Sequence, residues 1–236
     1  MQFATKQRLP PPLFRLLLVG ATLLAGGPAA AAPQPSAAAG GGADKIAVNL
    51  VLDCSQAPEA KEWAEKAAGL VKQWYPKVAE MLASEGFRPP RKMKLVFRKG
   101  GGIGETAGDT SYISAAWIKK HPDDFGMVIH EMTHVIQGYP KADPDWLTEG
   151  IADYVRWFNF EPESRRPRPD PDRAKYTDGY QTTAAFLAWI VKNHDKDIVK
   201  KLNAAMRQSK YSNDLFKKST GKTLDELWRE YVATLK

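Results

Sequence analysis

Apolar and polar positions alternate through residues 46–52 (IAVNLVL), and the β-branched content of that run predicts a strand. After Pro58 the rhythm changes. Trp63, Ala67, Leu70, Val71, Trp74 and Val78 recur near helical spacing, which predicts one long amphipathic helix to about Ser84, with Pro76 as an expected kink. Residues 93–97 (MKLVF) read as a second strand and residues 110–115 (TSYISA) as a short third one. The glycine-rich stretch between them, residues 100–108 (GGGIGETAG), reads as a flexible hairpin connection; it lacks the frame of a phosphate-binding loop. From Asp124 onward the pattern is mainly helical, with breaks at residues 138–143, 161–173 and 209–219. Thr223 and Glu226 form a capping box for a last helix ending near Leu235. Strands with one helix first and helices afterwards predict an α+β fold, a small mixed sheet followed by a mainly helical C-terminal half.

The beginning of the chain obeys a different rule. Lys6, Arg8 and Arg15 accompany an apolar run, residues 16–24, that is too short to span a bilayer, and the alanine-rich residues 28–32 offer cleavage sites. A secretory signal peptide is therefore expected over residues 1–32, a flexible leader over residues 33–43, and one folded domain over residues 44–236. The protein is expected to be exported, either secreted or periplasmic, with no stable membrane association after signal cleavage. The net charge is +7, and the three basic residues of the signal segment leave +4 for the remainder. No basic helix or aromatic-basic motif accompanies that charge, so nucleic acid is not an expected partner. A single cysteine, Cys54, excludes an internal disulfide and reads as a small buried apolar residue at a strand end. Oligomeric state is left open.

Candidate chemistry concentrates at residues 130–134, His-Glu-Met-Thr-His. Residues four apart on a helix differ by about 40° around its axis, so His130 and His134 can reach one ion, and Glu131 beside them can act as a general base toward water. Phe125, Val128, Ile129, Met132, Val135 and Ile136 form the apolar stripe of this helix, roughly opposite the histidines. Zinc in a catalytic site takes a third protein ligand and keeps a position open. Glu149 is the candidate. Asp143 and Pro144 predict an N-cap and first turn for its helix, residues 138–143 are long enough to reverse the chain, and Asp153 shares the face of Glu149. Asp153 is expected to accept a hydrogen bond from the far nitrogen of a ligating histidine. Gly150, costly inside a helix, suggests a close approach there. A three-histidine site is not expected, because Gln137 and Pro140 stand where that signature needs glycine and histidine. His121 and His194 are isolated and read as surface or capping groups.

The runs VIHEMTHVIQGYP, PDWLTEGIADYVRW, DGYQTTAAFLAWI and KKSTGKTLDELWREYVATL resemble the basic secretory protein family first recognised in plants, over residues 45–236. That resemblance implies a gluzincin-like zinc peptidase with a zincin-like fold, in which Glu149 ligates Zn2+ and Asp153 supports a histidine. It also implies a peptide or protein substrate held on an edge strand, for which residues 110–115 are the candidate. Tyr180, in the Asp-Gly-Tyr start of a predicted helix, is the candidate donor to the oxyanion, with Tyr176 behind it. Two other readings use the same metal residues: a non-catalytic exported zinc protein that binds cell-wall or host polymers, and a zinc hydrolase of non-peptide amides.

Overall fold

The computed structural model describes residues 46–236. The expected signal peptide and leader lie outside the described residues. A small sheet forms from β1 (Asn49–Asp53), β2 (Lys92–Arg98), β3 (Gly104–Ala107) and β4 (Thr110–Ser114) in the order β1-β2-β4-β3. β1 pairs parallel to β2 with Asn49 opposite Lys92, and β2 pairs parallel to β4 with Lys94 opposite Thr110. β3 runs antiparallel to β4, with Gly104 opposite Ile113. The mixed sheet and helical remainder agree with the expected α+β class.

Alternation sorts the two sheet faces. Met93, Leu95, Phe97 and Ile113 are fully buried in the core, whereas the opposite face carries the Lys94–Asp53 and Arg98–Glu105 ion pairs at 2.8 and 2.6 Å. Parallel β1 and β2 need a crossover, which α1 (Lys61–Met81) supplies after a 3-10 turn at Pro58–Ala60. α1 buries Ala64, Ala67, Val71, Tyr75 and Val78 and runs through Pro76. Trp63 and Trp74 are only partly buried against the core.

In the first half of the fold four expectations change. Strand β1 starts at Asn49 rather than Ile46. The loop expected at residues 100–108 holds β3 in its second half, so the hairpin joins β3 to β4 and not β2 to β4. Gly104 and Ala107 are poor strand formers; β3 exists through its pairing with β4. As a consequence, β4 lies inside the sheet and, among the described residues, β3 is an edge strand, as is β1 at the other side. Finally, a short helix, α2 (Ala115–Lys120), begins where the third strand was expected to end, capped by the Ser114 hydroxyl accepting from the Trp117 N–H at 3.2 Å.

The helical half comprises α3 (Gly126–Gln137), α4 (Asp145–Val155), α5 (Tyr180–Asn193), α6 (Ile198–Arg207), α7 (Asp214–Thr220) and α8 (Leu224–Ala233). α7 occupies most of the break expected at residues 209–219. α8 carries the predicted capping box, in which the Glu226 N–H donates to the Thr223 hydroxyl at 3.3 Å and the Thr223 N–H donates to the Glu226 carboxylate at 2.7 Å. α4 starts one residue later than predicted: Pro144 is extended (φ −79, ψ 140) and is the N-cap itself, so Asp143 does not cap the helix. Gly150 explains how closely α4 and α5 lie, since a methyl group there would sit 2.2 Å from Thr183 Cγ2. No helix among the described residues is long and apolar enough to cross a membrane.

Candidate metal centre

α3 and α4 bring the candidate ligands together. Gly138 ends α3 in the left-handed conformation (φ 54), donating its N–H to the His134 carbonyl at 3.3 Å, and residues 138–144 return the chain so that α4 packs on α3. His130 Nε2 then lies 3.0 Å from His134 Nε2 and 3.1 Å from Glu149 Oε2, and the His134 Nε2 to Glu149 Oε2 distance is 3.4 Å. Tetrahedral ligands about 2.0–2.2 Å from an ion stand about 3.3–3.6 Å apart, so this triangle is close to the size a zinc ion requires. His130, His134 and Glu149 can hold a metal ion.

The surrounding hydrogen bonds fix which ring nitrogens face the triangle. Asp153 Oδ1 lies 2.7 Å from His130 Nδ1 and accepts its proton. Gln137 does the same for His134 through a longer argument. Its amide nitrogen donates to the Thr148 carbonyl at 2.9 Å, which turns its oxygen toward His134 Nδ1 at 2.7 Å. That nitrogen must therefore carry the hydrogen. With both imidazoles neutral, both Nε2 lone pairs therefore converge with the Glu149 carboxylate oxygen. Three acceptors at 3.0–3.4 Å repel one another unless a cation lies among them. One proton relieves a single pair, whereas a metal ion serves all three.

The electrostatics carry the same demand. Burial works against charging His130, yet the hydrogen bonds to Asp153 and Glu149 outweigh it and raise the imidazole to about 10. Burial would raise the Glu149 carboxyl, but the two histidines overcome this and hold it down to about 2. The site thus holds the Glu149 carboxylate ionised and draws positive charge inward. None of this is a solvated polar face: His130, Glu131 and Asp153 are 8%, 6% and 4% exposed.

Arg207, buried at the end of α6, anchors the far end of α3. It donates to the Ile136 carbonyl at 2.7 Å and to the Gln137 carbonyl at 2.9 Å, and it also reaches the Leu82 carbonyl at the end of α1. Its cation offsets the negative ends of both helices, and its guanidinium stacks 3.7 Å from the Phe87 ring centre.

Glu131 lines the same cleft as the three ligands, a cavity of about 850 Å³ that also takes in Gly104, Thr106, Trp157 and Tyr180. The Thr106 hydroxyl donates to Glu131 Oε2 at 2.7 Å. Tyr180 has a positive φ of 43, is 54% exposed, and places its ring nearly parallel to that of His130 with centroids 6.2 Å apart. Partial burial and the carboxylates of Glu149, Asp145 and Asp153 push its phenol up to about 12, so it is a proton-bearing donor at neutral pH. Tyr176 does not line the cleft; it packs against Trp146 and Trp228 at 5.5 and 6.0 Å. His121 is exposed at the C-cap of α2, and His194 caps α5. Cys54 is half-buried just past β1.

The structure thus brings together the predicted His130, His134 and Glu149 and sets Asp153 beside His130, while sequence reasoning missed Thr106, Gly104, Arg207 and the role of Gln137. Only Gln137 carried a local signal, its three-residue spacing from His134 on one helix face.

Comparison with known proteins adds an independent finding. A family model described as "Peptidase of plants and bacteria" (BSP) matches residues 52–231. No curated protein matches the chain.

Proposed function

Since this chain belongs to the BSP family of plant and bacterial peptidases, as its resemblance to basic secretory proteins implied, we propose that it is a zinc-dependent peptidase of the gluzincin type. The observation that supports the metal is the convergence of three atoms able to ligate one ion, from His130, His134 and Glu149, beside a carboxylate that is not needed to hold it. A zinc ion bound there would supply Lewis acidity toward water and toward the scissile carbonyl. Glu131 takes a proton from the attacking water and passes it to the leaving amine, as its place in the cleft beside His130 permits. Asp153 and Gln137 hold the two imidazoles in the tautomers that present Nε2. Tyr180, still protonated at neutral pH, donates to the developing oxyanion.

The substrate is a peptide or protein lying along β3, the edge strand that packs beside α3 among the described residues. This replaces β4, which is paired on both sides. Export remains part of the proposal and rests on the amino-terminal pattern alone. A purely structural zinc site would have no use for Glu131 in the same cleft as its ligands, which disfavours the non-catalytic reading.

Cleavage of a peptide library by the zinc-loaded protein tests the reading. Hydrolysis is expected to stop with a chelator and return with zinc. A metal-loaded protein that cleaves no peptide, or cleavage indifferent to the chelator, would contradict it.

A further inference from the structure

β3 does more than offer an edge. Its side chains alternate, so that Glu105 turns to Arg98 on the outer face while Gly104 and Thr106 face α3. Both inward positions meet Glu131. Thr106 Oγ1 lies 2.7 Å from Glu131 Oε2 and 2.8 Å from the hydroxyl of Ser111, its cross-strand partner. A hydroxyl has one hydrogen to give, and the carboxylate is the stronger acceptor. Ser111, fully buried, therefore donates to Thr106, and Thr106 donates to Glu131. Gly104 lies under the other oxygen: a β-carbon there would fall 2.6 Å from Glu131 Oε1. The glycine has no positive φ, so this close approach is what excludes a side chain.

We propose that Thr106 is a positioning residue for Glu131. The inference rests on the peptidase reading above and deepens it. The Ser111–Thr106 relay occupies Oε2 and fixes the carboxylate rotamer, and Gly104 leaves room for Oε1. One oxygen is held by the sheet, and the other stays available to the reacting proton. The edge strand that receives the substrate in the proposed function is thereby the same strand that aims the base.

Thr106→Val keeps the shape and removes the donor. In the zinc-loaded protein it is expected to lower kcat by about 10–100-fold, the range of one hydrogen bond to a charged group, with KM and zinc content unchanged. Thr106→Ser restores the donor and is expected to recover most of kcat. A second readout needs no turnover: the affinity of a simple hydroxamic acid, whose acidic proton must be received beside the metal, falls in Thr106→Val and recovers in Thr106→Ser. Wild-type binding of the hydroxamate together with equal affinity in Thr106→Val overturns this inference alone. A serine variant no better than valine, with zinc retained, overturns it too. Absence of hydroxamate binding to the zinc-treated wild type overturns the metal reading itself, and this inference with it.

Discussion

Replacing Glu131 with glutamine is expected to leave zinc bound and to lower kcat by about 10²–10⁴-fold, the usual contribution of a general base. The side chain belongs to the cleft wall and not to the triangle of His130, His134 and Glu149, so none of the three candidate donors is lost. Glutamine has nearly the same shape, and its amide oxygen can still accept from the Thr106 hydroxyl, which donates to Oε2 at 2.7 Å in the native chain. What glutamine cannot do is bind a proton near neutral pH. The variant therefore separates positioning from proton transfer. Elemental analysis reads the metal and peptide cleavage reads the base. Retention of more than a tenth of wild-type kcat with full zinc content would remove Glu131 from the mechanism.

His134→Ala has the opposite signature: zinc content falls toward zero after dialysis against metal-free buffer, and cleavage goes with it. Alanine deletes one of three donors outright and opens the pocket to water beside Glu149, which already lies 3.4 Å from the missing nitrogen. It also leaves Gln137 Oε1 without its partner. A milder change marks the scale. Asp153→Asn keeps all three ligands but loses the carboxylate that fixes His130 Nδ1–H, and outer partners of this kind cost about 10–100-fold in metal affinity. The two variants therefore rank, His134→Ala well below Asp153→Asn, when zinc affinity is measured by competition with a chromogenic chelator. Equal affinities would show that His134 does not ligate.

Residues that act through local spacing were legible in the sequence. The pair His130 and His134 needs only a helix, and the Thr223–Glu226 capping box needs only a helix start. Glu149 and Asp153 required one further step, the reversal at residues 138–144, which a glycine in the left-handed conformation makes possible. Even the close approach at Gly150 was readable, because a glycine inside a helix costs about 1 kcal/mol and so asks for a reason. Thr183 supplies that reason.

What the sequence hid depends on pairing between distant segments. β3 has no strand signature of its own, since Gly104 and Ala107 disfavour extended structure and only their partners on β4 hold them there. Missing that strand moved the sheet edge to the wrong place and concealed the contact of Thr106 with Glu131, 25 residues along the chain. Arg207 is a similar case. It stands 70 residues from Gln137, and nothing around it announces that its guanidinium closes the carbonyl ends of α1 and α3. α7, at seven residues, is too short for its apolar period to be distinguished from a break.

X-ray absorption at the zinc edge on the purified wild-type protein tests the central claim most directly. Two imidazole nitrogens, one carboxylate oxygen and one further light ligand at about 2.0–2.2 Å are the expected shell, with the carboxylate contribution lost in Glu149→Ala. A shell containing sulfur, or one unchanged by removal of the Glu149 carboxylate, would contradict it.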